Sequence, residues 1–397
     1  MEHTHPTVHS TSPSLTHPNP ATAATRGPVL VIGVGLIGGS IGLALTREGL
    51  PVYLRDASPT AVALATSLGA GKADPGKLPL SEAASLAPMP PPNLVVVAAP
   101  PDVTAPLVIA ALHEFPQACV LDVASVKSPI IAEVLREDLQ AAQRYCSVHP
   151  MAGKEANGVA AASAELFVGK PWVVVAHSST RAETVVAARN LGTDLGAFLV
   201  SMEVEEHDRA VALVSHVPQL VSSLLAGLLA QAPLSALELA GGGLRDTTRI
   251  AASDPRLWNV ILAGNAQAVR EVLQDFRAQL DRLLSGLDLD RECWFNPAVG
   301  AINQVMTAGN EGVARIPGKH GDAASKYGTV SVLIPDEPGF LGRLFAEIGD
   351  AGINIEDFRL EHSLGQAQGL ATIYVVPASV EPLCEHLQRR GWSVANL

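Results

Sequence analysis

PVLVIGVGLIGGS, residues 28–40, is the stretch that decides the fold of the first half of this 397-residue chain. Its apolar, β-branched start predicts a buried parallel strand, and a helical pattern follows the glycines. The glycines have the spacing G-x-G-x-x-G: the first permits a tight turn, the second lets backbone approach a pyrophosphate, and the third lets helix and strand pack closely. The helix N-terminus then favours phosphate. The stretch therefore predicts a dinucleotide site with contacts from Gly33, Gly35, Leu36, Ile37 and Gly38.

A second predicted strand, Val52–Arg55, ends at Asp56. An acid at this position accepts hydrogen bonds from the adenosine ribose and repels a 2′-phosphate, which favours NAD over NADP. Arg55 tempers that preference, because an arginine there pairs with phosphate; the alternative for Asp56 is an ordinary turn residue. Further buried strands are predicted at Leu94–Ala98, Val120–Asp122 and Trp172–Val175, with helices between them, so the first half is predicted to be a doubly wound α/β sheet.

Ser125 and His149 are the candidate catalytic residues. Oxidising a carbon that bears a hydroxyl requires at least a proton acceptor beside a hydride acceptor. The pKa of histidine suits it to accept that proton near neutral pH. Ser125 follows a buried strand at the carboxyl edge of the sheet, where ligands of such sheets bind. It is expected to donate to a substrate hydroxyl or to His149. The alternative is that Asp122 and Ser125 only cap the helix that starts near Ser128.

The middle of the chain, from about residue 205, repeats apolar residues every three or four positions, which predicts an all-helical region. Its stripes are so long that we expect part of them to bury against a second subunit. In SHVP (215–218) the proline cannot donate to the carbonyl of Val214, so a kink or break is expected there. His216 is then expected to face a cleft, the alternative being a core histidine. A second long helix is predicted over 253–283, with a capping Asp and a Pro at its start.

The segment GGGLRDTTRI (241–250) is the other concentration of polar residues. Three glycines predict a pliable turn that presents Arg245 and Arg249 near Asp246. An arginine fork is suited to bidentate capture of a carboxylate. We assign that task to Arg249 and expect ordinary ion pairs for Arg245.

The last seventy residues predict a small α+β unit, preceded by a Gly-, Lys- and Ala-rich linker at 312–327. Alternating apolar residues and turn signals give the order βαββαβ, which is the ferredoxin-like arrangement. The predicted elements are a strand at 330–334, a helix at 341–348, a hairpin of 353–360 with 370–376, a helix at 379–390 and a strand at 392–394.

Composition narrows the class of protein. Hydrophobic residues make up 48% of the chain and the formal net charge is −12, so a large apolar core is expected and nucleic acid is disfavoured as a partner. Four scattered cysteines without metal-ligand spacing predict free thiols of a reducing compartment and no metal site. Residues 1–27 predict a disordered tail, without a secretory signal, and no apolar run is long enough to predict a membrane span. A cytoplasmic protein is expected.

The chain resembles the prephenate dehydrogenase family, the prephenate and arogenate dehydrogenases of tyrosine biosynthesis, over about residues 28–316. The matching motifs are GVGLIGGS (33–40), DVASVK (122–127), HPMAGKE (149–155), SHVP (215–218) and GGGLRDTTRIA (241–251). Residues 328–397 resemble an ACT domain, a module that senses small molecules, through DEPGFLGRLFAEI and GINI.

The resemblance implies an NAD-dependent oxidative decarboxylation of prephenate to 4-hydroxyphenylpyruvate. It implies that His149 accepts the proton of the ring 4-hydroxyl while hydride leaves C4 and the ring carboxylate departs as CO₂. Ser125 would orient that hydroxyl and His149, Arg249 would bind a substrate carboxylate, and His216 would contribute to substrate binding. Glu155 and Asp246 fall at positions that resemble the family's gating and pairing carboxylates.

The resemblance also implies an assembly and a regulator. Members of the family are homodimers through the helical domain, and Trp258 falls where a partner subunit lends a side chain. In the ACT region, Asn354 and Gly339 resemble ligand-binding positions, tyrosine is the expected effector, and ACT domains often pair between subunits.

The expected domains are a tail (1–27), a Rossmann-type NAD-binding domain (28–204), a helical substrate and dimerisation domain (205–311), a linker (312–327) and an ACT regulatory domain (328–397). Two alternatives stay open. An arogenate dehydrogenase would produce tyrosine directly, and no residue decides between the two substrates. A non-catalytic, NAD-bound amino-acid sensor would tolerate the loss of His149 or Arg249, and both are present.

Overall fold

The computed structural model describes residues 23–77, 88–153, 158–287, 297–317, 327–362 and 368–395. Contacts along the backbone divide the chain into two compact units. The first contains the residues up to 220 together with 252–272, and the second contains 221–251 together with 273–397.

Within its described residues, the first unit is built on one mixed sheet. Its strands are β1 Val29–Ile32, β2 Val52–Arg55, β3 Lys72–Ala73, β4 Leu94–Val97, β5 Cys119–Asp122, β6 Tyr145–Pro150, β7 Pro171–Val175 and β8 Phe198–Ser201. The sheet order is β3-β2-β1-β4-β5-β6-β7-β8. The first six strands are parallel in the order typical of doubly wound dinucleotide-binding sheets, while β7 is antiparallel to β6. The predicted doubly wound sheet is confirmed, and β3, β6 and β8 are additional to the predicted strands.

Helices cover both faces of this sheet, because alternate residues of the central strands point to opposite sides. Val29 and Val31 belong to one apolar cluster, and Leu30 and Ile32 belong to the other. The helices are α1 Leu36–Arg47, α2 Pro59–Ser67, α3 Pro101–Glu114, α4 Ser128–Glu137, α5 Leu139–Ala142 and α6 Ala182–Asp194. The helix α1 ends at Arg47, and Gly49 just beyond it has a φ of +79°, a conformation that favours glycine after a helix.

One helical run, Val204–Leu229, follows the sheet. It consists of α7 Val204–Val211, a π turn at Ala212–His216 and α8 Val217–Leu229. Of the expected kink or break at Pro218, the break is absent: the helix continues through the proline, and the irregularity is a π turn that shifts the backbone hydrogen bonds by one residue just before it. By length and composition the run is able to cross a membrane, with 33% of its most apolar window buried. The prediction that no apolar run is long enough for a span is therefore wrong, but one such helix is weak evidence for a membrane span, because the core helix of a soluble protein passes the same test.

The remaining helices correct two further expectations. They are α9 Leu234–Leu237, α10 Gly242–Thr248, α11 Pro255–Gly264, α12 Ala266–Leu287 and α13 Pro297–Ala314. Asp254 caps α11 as predicted, but the second long helix is interrupted at Asn265, where the backbone leaves the helical region. The pliable glycine turn is also wrong, since Gly242 and Gly243 form the first turn of α10.

The C-terminal elements form a four-stranded antiparallel sheet with two helices. In chain order they are β9 Gly328–Pro335, α14 Phe340–Asp350, β10 Asp357–His362, β11 Gln368–Val375, α15 Val380–Arg389 and β12 Ser393–Ala395. The strand order is β10-β11-β9-β12, so the elements follow the predicted order βαββαβ. Leu344, Ile348, Leu383 and Leu387 bury the inner faces of the two helices against the sheet. The predicted linker overlaps a helix at its start, because α13 extends to Ala314.

Candidate active site

The glycine turn follows β1, beside β4, where the order of the strands reverses. Gly33 has a φ of +92°, and a Cβ there would lie 2.4 Å from the carbonyl oxygen of Ala98. A Cβ on Gly38 would lie 1.9 Å from the carbonyl oxygen of Gly33. Gly35 caps α1 without any side-chain bond, which leaves the first N–H groups of the helix to a phosphate. Glycine is therefore required at positions 33 and 38, where the dinucleotide is expected to bind.

A cavity of about 630 Å³ opens beside this turn. Its wall is mostly apolar, with the carboxylate of Asp56 at one side, as an adenosine pocket requires. Leu36 and Ile37, the first two residues of α1, are only partly buried. The lining residues are Ile32, Gly33, Gly35, Arg55, Asp56, Ala57, Ala98, Ala99, Pro100, Val103 and Leu107.

Asp56 and Arg55 have different tasks at the end of β2. The Asp56 carboxylate accepts hydrogen bonds from the backbone N–H of Val34 and of Ser58, both at 2.8 Å, and so braces the glycine turn. The Arg55 guanidinium binds Asp74 at 2.7 Å and Glu114 at 2.8 Å. These two carboxylates occupy the fork of Arg55, which favours Asp56 as the group that meets the ribose.

Asp122, at the end of β5, is the centre of a buried polar network. Its carboxylate accepts hydrogen bonds from the backbone N–H of Ala124 at 2.9 Å, from the hydroxyl of Tyr145 at 2.7 Å and from the hydroxyl of Ser147. Lys127, which is fully buried, donates from Nζ to Asp122 at 3.1 Å and to the carbonyl oxygens of Ala124 at 2.5 Å and Val148 at 2.7 Å. The ammonium thus ties β5 to the residue before His149.

Asp208, in α7, caps α4 from outside it. Its carboxylate accepts hydrogen bonds from the N–H of Lys127 at 3.0 Å and of Ser128 at 2.8 Å, and from the hydroxyl of Ser128. The alternative that Asp122 and Ser125 only cap this helix is therefore wrong for Asp122. Ser125 is half-buried in the loop between β5 and α4.

His149 lies near the end of β6, on the same face as Tyr145 and Ser147 by strand alternation. Its Nδ1 is 2.9 Å from Nε2 of His207, and Nδ1 of His207 is 2.9 Å from Oδ1 of Asp208. Burial, followed by the charge of Lys127, holds the pKa of His149 well below its usual 6.5. The imidazole is neutral at neutral pH, as a general base must be.

His216 closes the π turn and is 1% exposed. Asn265, at the interruption between α11 and α12, places its amide nitrogen 3.2 Å from Nδ1 of His216 and donates to the carbonyl oxygen of Asp208 at 2.7 Å. The Trp258 ring lies edge-on to His216, with 6.1 Å between the ring centroids. Burial lowers the pKa of His216 to about 4, so it too is neutral at neutral pH.

The other predicted site residues lie in the second unit or outside the described residues. Asp246, in α10, forms an ion pair with Arg359 of β10, and Arg249 is exposed in the single helical turn after α10. Asn354 donates to Glu356 at 2.9 Å, and Gly339 caps α14 with a φ of +92°. Glu155 lies outside the described residues.

Four polar residues of the site are additional to the predicted ones: Lys127, His207, Asp208 and Asn265. Lys127 ends the DVASVK motif, and His207-Asp208 is a polar pair within an otherwise apolar helical pattern. Burying polar residues on an apolar face is costly unless they bind one another. A polar pair within an apolar pattern is therefore a signal in the sequence that the two side chains bind each other or a neighbour. Asn265 carries no comparable signal.

Comparisons with known proteins agree with this geometry. Residues 41–201 match the family model described as "Prephenate dehydrogenase, nucleotide-binding domain", and residues 203–292 match "Prephenate dehydrogenase, dimerization domain". Among curated proteins, the chain is 32% identical to the probable prephenate dehydrogenase NovF of Streptomyces niveus, over 91% of this chain and 98% of that protein. It is 26% identical to the prephenate dehydrogenase of Bacillus subtilis, over 88% of this chain and 92% of that protein.

Solved structures give the same result. The prephenate dehydrogenase of Aquifex aeolicus, in complex with hydroxyphenyl propionate and NAD+, has a TM-score of 0.60 and 25% identity, covering 71% of this chain and 97% of its own. Synechocystis arogenate dehydrogenase has a TM-score of 0.57 and 27% identity, covering 72% of this chain and 99% of its own.

Proposed function

This chain belongs to the prephenate dehydrogenase family, and from that premise we propose that it converts prephenate to 4-hydroxyphenylpyruvate by NAD-dependent oxidative decarboxylation. The observation that carries the proposal is the neutral, half-buried His149 at the carboxyl edge of the same sheet that carries the dinucleotide turn. Relatives named prephenate dehydrogenases match most of the chain, so we take prephenate as the proposed substrate and keep arogenate as the alternative.

The cofactor site accommodates NAD by its own chemistry. The glycine turn leaves room for a pyrophosphate, and Asp56 offers a carboxylate to the ribose hydroxyls. Arg55 is already paired with Asp74 and Glu114, which disfavours its use as a partner for a 2′-phosphate. When bound, NAD supplies the acceptor for the hydride that leaves C4 of the substrate ring.

His149 has the role of general base. The ring 4-hydroxyl donates a hydrogen bond to His149, and its proton transfers to the imidazole as the ring carboxylate departs as CO₂. Ser125 orients the hydroxyl, and His216 with Trp258 forms one wall of the substrate site. Proton transfer of this kind raises the rate roughly 10²- to 10⁴-fold. The gain in aromaticity makes the overall reaction favourable.

Arg249 is proposed to bind a substrate carboxylate, with Asp246 and Glu155 as pairing and gating carboxylates. The expected division of labour is that His149→Asn lowers kcat by about 10²-fold or more, while Arg249→Ala mainly raises KM for prephenate. Arg245→Ala, at an exposed arginine one turn earlier in α10, is the matched control and should change neither parameter. Steady-state kinetics of the three variants tests this, and equal effects on kcat and KM in both site variants would contradict it.

The substrate itself is tested by measuring NADH formation from prephenate and from arogenate. Faster turnover of prephenate is expected. Preference for arogenate would transfer the assignment to arogenate dehydrogenase, and no turnover of either would leave the non-catalytic sensor.

The C-terminal unit is proposed to be an ACT domain that mediates feedback inhibition by tyrosine in a cytoplasmic homodimer. Its element order βαββαβ supports this, as do the turn at Gly339 and the side chain of Asn354. Asn354→Ala should abolish inhibition by tyrosine without changing the uninhibited rate. Gln388→Ala, at an exposed position of α15, should leave inhibition intact. A wild-type rate that is indifferent to tyrosine would contradict this part of the proposal.

A further inference from the structure

A chain of three side chains leads from the N-terminus of α4 to His149. Asp208 binds His207, and His207 binds His149, with 2.9 Å at each step. His207 is fully buried and Asp208 is 4% exposed, so water does not compete for these bonds. All three residues lie in the first compact unit.

The donors around Asp208 fix its charge. Two backbone N–H groups, from Lys127 and Ser128, point at its two oxygens, and the hydroxyl of Ser128 binds one of them. A backbone N–H only donates, so both oxygens act as acceptors. Although burial raises the pKa of Asp208, the hydrogen bonds from His207 and Ser128 outweigh it and lower the pKa. Asp208 is therefore a carboxylate.

The charge of Asp208 sets the tautomers of both histidines. Because Asp208 accepts, Nδ1 of His207 carries the hydrogen. Burial lowers the pKa of His207 despite the opposing effect of Asp208, so the ring is neutral and its Nε2 has a lone pair. Nδ1 of His149 must then donate to that lone pair. Nε2 of His149 is left unprotonated, which is the state that a base requires.

We propose that His207, supported by Asp208, is a positioning residue that holds His149 in the tautomer whose Nε2 accepts the substrate proton. The inference rests on the proposed function and adds a residue to it. In the step, the substrate O–H bond breaks and an Nε2–H bond forms on His149. The resulting imidazolium donates from Nδ1 to His207, and the negative charge of Asp208 lies behind that bond.

The other charged and titratable groups that face His149 are Lys127 and His216. Both disfavour the imidazolium, although Lys127 is paired with Asp122. His207 is thus the neighbour that supplies a hydrogen-bond acceptor to the protonated ring. Without it, His149 is free to carry its hydrogen on Nε2, where no lone pair then faces the substrate.

Two variants of His207 separate this role from packing. A phenylalanine fills a similar volume but neither donates nor accepts. The amide of a glutamine accepts through its oxygen and donates through its nitrogen, so it reproduces both bonds. We expect His207→Phe to lower kcat on the order of 10- to 100-fold with little change in KM, and His207→Gln to restore most of the rate.

The pH profile gives a second readout. The acidic limb of kcat/KM reports protonation of His149 in the free enzyme. Loss of the acceptor destabilises the imidazolium, so His207→Phe should move this limb to lower pH by about one unit, while His207→Gln leaves it near the wild-type position. An unmoved limb in His207→Phe, or a wild-type kcat in that variant, overturns the proposal.

The tautomer is measured directly by ¹⁵N NMR of the imidazole rings, which needs no turnover. The His149 signals, assigned by comparison with His149→Asn, should report hydrogen on Nδ1 in the wild type and in His207→Gln, and a mixture of tautomers in His207→Phe. Hydrogen on Nε2 in the wild type overturns the inference. This result is separate from the proposed function, which fails if wild-type enzyme turns over neither prephenate nor arogenate. Thermal unfolding of both variants monitors folding, and the wild-type spectrum decides the matter if His207→Phe does not fold.

Discussion

At the scale of the residue, burial of His216 makes the stability of the protein depend on pH. The pKa of His216 is about 4 in the folded chain, against 6.5 for an unperturbed histidine. Below pH 6.5 the unfolded chain therefore binds a proton that the folded chain refuses. The contribution of this residue is complete above pH 6.5 and is lost progressively as the pH falls towards 4. One pKa unit corresponds to about 1.4 kcal/mol, so roughly 2 kcal/mol is lost by pH 5.

Denaturant unfolding at pH 7 and pH 5 measures this loss. In His216→Phe the fall in the free energy of unfolding between the two pH values should be about 2 kcal/mol smaller than in the wild type. Leu139→Phe, at an exposed position of the same unit, is the control and should retain the wild-type fall. The same fall in His216→Phe as in the wild type would contradict the assignment.

At the scale of the element, the ion pair of Lys127 with Asp122 lies at the end of β5, and the same two side chains bind β6 through the Val148 carbonyl and the Ser147 hydroxyl. Both side chains are fully buried, so removal of one partner leaves a buried charge without its counter-ion. Lys127→Met should therefore lower the free energy of unfolding by about 3–5 kcal/mol. The double variant Lys127→Met/Asp122→Asn should cost less than the sum of the single variants, because it removes both charges. Urea unfolding of the four proteins in a double-mutant cycle measures the coupling, and strict additivity would contradict it.

The elements also show which parts of the site were predictable from sequence. The glycine turn and Asp56 were predictable, because local backbone geometry and one buried strand determine them. The strand β6 was not, because Ser147, His149 and Pro150 interrupt its apolar pattern, and their burial depends on Asp122 and Lys127 from another strand.

Two features of the helices depend on the same long-range bonds. The interruption at Asn265 stands in a helical pattern and exists because its amide binds Asp208 and His216. The π turn before Pro218 ends at His216, and the side-chain amide of Asn265 contacts the ring of that histidine. Periodicity predicts that these helices exist, but it does not predict the polar contacts that divide them.

At the scale of the whole molecule, the helical region exposes many large apolar side chains. Exposed apolar side chains in such number are typical of interaction sites, and the family model for residues 203–292 is described as a dimerization domain. The exposed residues include Leu213, Val214, Leu224, Leu228, Phe276, Leu280, Leu284, Ile302, Val305 and Met306.

Replacing one of these exposed apolar residues by a charged residue should weaken the expected homodimer. Leu280→Asp, in the amphipathic helix α12, should shift the molar mass measured by light scattering towards that of the monomer at low protein concentration. Leu139→Asp replaces an exposed leucine of α5 in the first unit and should leave the mass unchanged. A dimer that is insensitive to both changes would assign the interface to another surface.

Because Lys127 is completely buried, the rate of its chemical modification measures how often this part of the protein opens. An amine reagent modifies exposed lysines such as Lys170 at once, but it reaches Lys127 only when the end of β5 separates from β6. Mass spectrometry of timed labelling should show Lys127 modified far more slowly than Lys170, and at a rate that rises as denaturant is added. The rate at which Lys127 is modified would then report how often the region around His149 opens under conditions in which the protein is otherwise native.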